Sequence, residues 1–512
     1  MMGNWTREQL QNLVADRLPG VKLIVASNRE PYIHTSQNEQ IQCVTAASGL
    51  TTALDPILKA SGGVWVAHGS GSADREVVDG RGRVPVPPEA PSYTLRRVWL
   101  PKRVEDEYYY GLANEGLWPL CHAAFHRPRF REGDWASYKE ANMLFADAVL
   151  DEANGDPALV FIQDYHLALL PRMLKKNNPR LVVAQFWHIP WPNRETFRAF
   201  PWKAELLDGM LGNDLLGFHL HYHCTNFLET IDRSIEACVD HEHEYVTRNG
   251  HRTAVAAFPI SIDFQERVHM ARNLDLTAAA SEWRRELGNT PEILGIGIDR
   301  IDYTKGLPER LEAIERLLLE RPEYVGRLVF LQIGVPSRTA IADYDELNRA
   351  LVSQVDAINR RWARNSWRPV VLVRRHVDQQ ALTALELMAD FCLVTSLHDG
   401  MNLVAKEFVA SRIDGDGVLI LSAFTGAARE LADALIVNPF SVGEMSDAIH
   451  RALNMPAEER RRRMNRMRSV VAENNVYRWA GKILQTLSGI EAGGTVYKQP
   501  AAEELALVQA AR

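Results

Sequence analysis

Apolar and polar positions fall in blocks along the chain. Short runs rich in β-branched residues recur, each closed by Gly, Asp, Asn or Pro and followed by apolar positions at helical spacing. In the first half they are "KLIVASNRE" (22–30), "ALVFIQDYH" (158–166) and "RLVVAQFWHIP" (180–190). The second half repeats the pattern with "EILGIGIDRIDYTKG" (292–306), "RLVFLQIGVPSR" (327–338), "PVVLVRRHV" (369–377), "DFCLVTSLHDG" (390–400) and "GVLILSAFTGAARE" (417–430). Continuous apolar strands alternating with helices predict an α/β protein with parallel sheets covered on both faces. At 512 residues the chain exceeds what one hydrophobic core serves, so two units of roughly 200 to 250 residues are expected.

Between the halves, "HEYVTRNGHRTAVAAFPISID" (243–263) carries the hairpin signal Asn249-Gly250 and reads as a short β-rich insert, with a hinge near 261–264. The expected boundaries are 1–262 for a first Rossmann-like domain and 263–469 for a second. Segment 470–490 has Val476, Trp479, Ile483, Leu484 and Leu487 at helical spacing, which predicts a helix docking back towards the first domain. The Gly-, Ala- and Glu-rich stretch 491–512 reads as a flexible tail.

Composition excludes several classes. A net charge of −7 and a pI near 6.2 argue against nucleic acid or an anionic membrane as partner, because counterion release needs a dense basic face. The one basic run, "EERRRRMNRMR" (458–468), reads as a solvated helix face. Five scattered cysteines without CxxC spacing fit reduced thiols, and the N-terminal stretch lacks the apolar core of a signal peptide, so a cytoplasmic protein is expected. No stretch reaches the roughly eighteen apolar residues of a membrane span.

The candidate chemistry lies just past the strand ends, where open α/β sheets bind ligands. In "VTSLHDGMNLVAKE" (394–407) a strand hands over to a helix. The amides of Gly400, Met401, Asn402, Leu403 and Val404, with the helix dipole, suit an anion such as phosphate. A carboxylate there would repel phosphate, so Asp399 suits sugar hydroxyls, and Glu407 a ribose diol. The other reading of Asp399 is a helix cap, and Lys406 has no assignment. Past "EILGIGI", Arg300 and Lys305 place two cations that could neutralise a departing diphosphate. The turn Ser48-Gly49 precedes a helix, and Arg29 and Arg338 are further candidate phosphate ligands. Asp164, His166 and His188 also sit at strand ends, where a lone histidine is more often structural. "HLHYHC" (219–224) could offer His219 and His223 on a helix face, or His219, His221 and His223 on a strand face, to zinc; local hydrogen bonding is the preferred reading, and no metal is expected.

Together these residues resemble the trehalose-6-phosphate synthase family, retaining glycosyltransferases of the GT-B fold with two Rossmann-like domains facing a cleft. The resemblance runs from about residue 21 to 488. It rests on "SNR", "DEYY" followed by "LWP", "DYHL", "HIPWP", "DLLGFH", "RIDYTKGLPER", "PSR", "DGMNLVAKE" and "ALIVNP". It implies that Arg300 and Lys305 hold the donor diphosphate, with Gly49 contributing from the facing domain. Asp399 and the amides from Gly400 to Val404 would hold donor glucose and phosphate, Glu407 the ribose, and His188 the sugar. Arg29, Tyr109, Trp118 and Arg338 would bind glucose 6-phosphate, with Asp164 between donor and acceptor.

Two positions depart from the family pattern: Ser48 stands before Gly49 where a second glycine is usual, and His68 replaces a tryptophan on the acceptor side. The expected activity is transfer of glucose from a nucleotide-glucose, UDP-glucose first, to glucose 6-phosphate with retention. The residues do not fix the base. No cofactor is implied, a homo-oligomer is left open, and a separate phosphatase would act on the product. The alternatives are transfer to another phosphorylated acceptor, as in glucosylglycerol-phosphate synthases, and a non-catalytic sugar-phosphate-sensing relative.

Overall fold

A computed structural model describes residues 5–37, 40–45, 49–288 and 291–490; the expected tail and Ser48 lie outside the described residues. Two open sheets carry the architecture. The first has ten strands in the spatial order Cys238–Asp240, Tyr245–Arg248, His251–Ala257, Leu215–Phe218, Val182–Phe186, Ala158–Gln163, Lys22–Ser27, Val64–His68, Tyr93–Val98 and Arg83–Val86. The second has six: Val370–Val373, Leu328–Pro336, Ile293–Ile301, Phe391–Val394, Val418–Ser422 and Leu435–Val437. All pairings in the second sheet are parallel, as are those from His251–Ala257 through Tyr93–Val98 in the first. The central strands are buried on both faces, which explains their unbroken apolar runs.

The stretch 243–263 does not form an insert between the halves. Strand His251–Ala257 pairs in parallel with Leu215–Phe218, and its hairpin with Tyr245–Arg248 extends the first sheet. Asn249 and Gly250 both take positive φ (52° and 76°), the turn that matches strand twist. Inward-facing Val246 and Val255 bury this edge against the first domain's core. The crossover between the sheets is therefore 258–263, ending at Asp263, which caps helix Phe264–Asn273.

The helix expected over 470–490 is two elements. Residues up to Glu473 finish helix Ala457–Glu473, and Asn475 caps a new helix, Val476–Ser488, through the amides of Tyr477 and Arg478. This second helix returns to the first sheet: the Trp479 ring packs 5.1 Å from Phe186 and 5.9 Å from Phe161. In helix Ala457–Glu473 the basic run buries Met464 and Met467. Four of its arginines are engaged, Arg460 with Asp416, Arg463 with Glu459, Arg466 with Asp433 and Arg468 with the carbonyls of Val409 and Ala410. Among the described residues no helix is long and apolar enough to cross a membrane.

The carboxyl ends of the parallel strands in both sheets face a common cleft. Residues 122–129 span it from the first domain. His398 Nδ1 meets the carbonyl oxygen of His122 at 2.7 Å, His126 stacks on Tyr303 at 4.1 Å, and Arg129 pairs with Asp343 at 3.6 Å.

Candidate active site

Strand Ile293–Ile301 leaves the second sheet with Arg300 near its end, and a short turn, Tyr303–Lys305, delivers Lys305. Gly306 closes that turn at φ 61°, where a side chain would collide with the carbonyl of Thr395. Buried Arg310 fixes the turn from below: it pairs with Asp299 (2.7 Å) and donates to Thr395 Oγ1, which itself donates to the carbonyls of Lys305 and Gly306. Nothing in the sequence singles out Arg310, since a buried structural arginine and a surface arginine read alike.

Lys305 Nζ lies 2.6 Å from Asp399 Oδ2, which also accepts from Ser396 and Asn402. Burial works against the charge on Asp399, yet Lys305 and Asn402 hold its carboxyl well below the usual range. Of the two readings of Asp399, the cap falls away. Asn402, at φ 82°, caps helix Leu403–Ser411 through the amide of Ala405. Asp399 stays ionised at the entrance of that helix. The loop is held by amides of the adjoining strand-to-turn segment, Gly426 donating to the carbonyl of Asp399 and Ala427 to that of Met401. Glu407 sits in the helix's second turn, 3.6 Å from Arg267, with burial raising its pKa.

The facing domain brings His188 against this loop. The carbonyl of His188 accepts from His219 Nε2 (3.0 Å) and borders Gly400, where there is no room for a Cβ. His188 Nε2 is 2.8 Å from Gln163 Oε1, and burial lowers its pKa to about 3, so the ring is neutral. Neighbouring Asp164 takes φ 69°, a strained value at a strand end. Its Oδ1 accepts from the amides of Tyr165 (3.0 Å) and His188 (3.2 Å), but burial dominates and raises its pKa to about 7.

His219 follows the strand Leu215–Phe218 and engages His188, whereas the helix begins only at His221, so His219 and His223 share neither a helix face nor a strand face. Among the described residues no group of three or more His, Cys, Asp or Glu is arranged to hold a metal.

A second constellation lies beside the first. Arg29, Tyr109, Tyr110, Arg300, residues 335–338 and His376 line a cavity of about 310 Å³. Arg29 donates to Tyr109 Oη at 3.0 Å, and Arg338 lies 4.2 Å over the Trp118 ring with Arg300 at 5.8 Å from it. Burial raises the Tyr109 phenol, but Arg29, Arg338 and Arg300 bring it down to about 7. Three guanidinium groups with no carboxylate among the lining residues make an anion site. Arg300 thus stands with Arg29 and Arg338, on the strand that leads into the Lys305 turn.

Tyr109 is presented by a wide π-helical segment, Asp106–Leu117, and its ring stacks on His166 at 5.6 Å. Arg338, at φ 52°, is aimed by buried Asp302 (3.3 Å) and Tyr344 (2.6 Å). Neither the π-helix nor Asp302 and Tyr344 could be picked out from spacing. Arg29 is anchored through its chain neighbour Glu30. Glu30 and Asp74 share buried Arg97 at 2.8 Å each, and Glu30 Oε1 accepts from Ser70. His68 is not among the lining residues: Nδ1 meets the carbonyl of Val98 at 3.1 Å, and Nε2 is 4.0 Å from Glu105. Gly49 begins helix Gly49–Ser61.

Relatives show the same arrangement of sequence and fold. The family model for glycosyltransferase family 20 matches residues 21–489. A trehalose-6-phosphate synthase of Mycolicibacterium vanbaalenii is 38% identical over 483 residues, 93% of this chain and 97% of that protein. Among solved structures, an α,α-trehalose-phosphate synthase (UDP-forming) from Burkholderia xenovorans in complex with glucose 6-phosphate superposes with a TM-score of 0.82 at 31% identity, over 91% of this chain and 100% of that one. Trehalose-6-phosphate synthase from E. coli bound with UDP-2-fluoro glucose gives 0.80 at 31% identity, over 92% and 99%. With nearly the whole chain matched and both halves of the cleft in place, the protein belongs to glycosyltransferase family 20.

Proposed function

We propose that the protein transfers glucose from UDP-glucose to glucose 6-phosphate with retention, forming α,α-trehalose 6-phosphate. The observation that carries this reading is the adjacency of two sites. Lys305, Asp399 and the capped helix Leu403–Ser411 suit a nucleotide-sugar, while Arg29, Arg300, Arg338, Tyr109 and Trp118 converge on an anion cavity beside them. The names of the relatives point to the same pair of substrates.

In this reading the donor diphosphate draws Lys305 away from Asp399, freeing the carboxylate to accept sugar hydroxyls. As the anomeric bond lengthens, Arg300 and Lys305 stabilise the departing charge, worth ~3 kcal/mol per preorganised group. The acceptor hydroxyl attacks on the same face and passes its proton to a phosphate oxygen of the leaving group. Arg29 and Arg338 hold the acceptor phosphate, and the closed cleft excludes water. The two cations neutralise the leaving group without a metal, and a separate phosphatase consumes the product.

The test is to incubate purified protein with UDP-, ADP- and GDP-glucose and either glucose 6-phosphate or glycerol 3-phosphate, identifying products by mass and NMR. Consumption of glycerol 3-phosphate alone would refute the acceptor assignment, and turnover of neither would favour a sensing role.

A further inference from the structure

Lys406 is 1% exposed, takes no part in either half of the site, and is the cation that the sequence left unassigned. Its Nζ donates to the carbonyl of Ile260 at 2.8 Å and to Glu430 Oε2 at 2.5 Å. Ile260 lies in the 258–263 crossover between the two sheets. Alternate carbonyls of this crossover are each gripped: Phe258 by Trp479 Nε1 (3.2 Å), Ile260 by Lys406, and Ile262 by the amide of Val476 (3.0 Å). Tyr477 adds a hydrogen bond to Asp263 at 2.7 Å.

Phe258 and Ile262 are thus tied to the returning helix, which packs on the first sheet, whereas Ile260 is tied to the helix that heads the Asp399 loop. Glu430 extends the connection. It ends the segment whose Gly426 and Ala427 amides hold the carbonyls of Asp399 and Met401. A continuous set of bonds therefore runs from the crossover through Lys406 and Glu430 to the loop that meets His188 of the other domain.

We infer that Lys406 is a positioning residue for domain closure, fixing helix Leu403–Ser411 and its loop to the interdomain crossover so that the nucleotide-sugar site turns as one body with the hinge. A charged amine suits this role because one group must hold a backbone carbonyl and a carboxylate together, and burial makes both bonds strong. Hinge residues that do not touch substrate are expected to act on the closed state. The inference rests on the proposal that a nucleotide-sugar lies along this helix.

The experiment uses Lys406→Met/Glu430→Gln, which removes both charges and leaves neither unpaired, and Lys406→Arg as the conservative variant. UDP affinity is measured by calorimetry, kcat with UDP-glucose and glucose 6-phosphate, and domain closure by small-angle scattering with and without both ligands. The expected result is a loss of kcat exceeding the loss of UDP affinity by about tenfold or more, smaller compaction on ligand binding, and recovery of most of the kcat by the arginine variant. The inference is overturned if the two losses are within about tenfold of each other, if compaction matches wild type, or if the arginine variant does no better than the double variant. Wild-type protein that fails to bind UDP would instead overturn the donor reading, and this inference with it. Wild type that binds UDP but ignores glucose 6-phosphate would affect only the acceptor assignment, and the scattering comparison would then be made with UDP alone.

Discussion

Gly400→Ala is a small change with a large expected effect. A Cβ at this position would lie 2.9 Å from His219 Cδ2 and closer still to the carbonyl oxygen of His188, both on the facing domain. The carbonyl cannot yield cheaply, because it is backbone and is already held by His219 at 3.0 Å. Restoring ordinary contact requires a displacement of about 1 Å, so the clash is relieved most readily by parting the domains. Overpacking of this kind costs about 1–3 kcal/mol, and a misplacement of about 1 Å between reacting groups lowers rate by about 100-fold. Both colliding atoms belong to the facing domain, so parting the domains relieves the collision and leaves each domain's own folding untouched. The expected outcome is kcat/KM for transfer lowered by about 100-fold, with a melting temperature within about 2 °C of wild type. Steady-state kinetics and a thermal melt suffice as the assay. Wild-type kcat/KM would refute the reasoning, since it would mean that the loop and His188 do not approach in the reactive state.

Arg300→Ala should lower kcat by about 100-fold or more while changing acceptor KM less, because Arg29 and Arg338 remain in the cavity; unchanged turnover contradicts its role at the leaving group. Tyr109 loses its proton near pH 7, placing negative charge where the acceptor phosphate would bind, so acceptor KM should rise from about pH 6 to about pH 8. Tyr109→Phe should flatten that rise, whereas ionisation of the phosphate itself acts on both proteins alike. Arg310→Met strands the buried Asp299 carboxylate and should cost about 3–5 kcal/mol in chemical denaturation, part of which Arg310→Met/Asp299→Asn recovers.

Several parts of the site were legible because the local chain alone decides them. A strand that ends in Asp399-Gly400-Met401-Asn402 and turns into a helix must present amides and a carboxylate at the sheet edge, whatever surrounds it. Arg300 and Lys305 are likewise fixed to a strand end by the apolar run before them. Which side chain caps the helix was not legible, since Asp399 and Asn402 are both competent; the tertiary contact of Asp399 with Lys305 removes it from that role. The β-rich stretch 243–263 misled for a similar reason. Its hairpin is local, but its pairing with Leu215–Phe218 is not.

By itself the sequence determined the alternation of buried strands and amphipathic helices, the glycine and asparagine turns, and the residue types at each strand end, all of which follow from periodicity and backbone sterics over a few residues. Only the tertiary structure decided that Arg29, Arg300 and Arg338 share one cavity, that Asp302 and Tyr344 aim Arg338, that His68 turns to Val98, and that Lys406 grips the crossover. Apart from the Arg338–Tyr344 bond, these depend on contacts between residues tens to hundreds of positions apart. Such contacts are selected by how two sheets pack across a cleft, and no window of sequence contains that information.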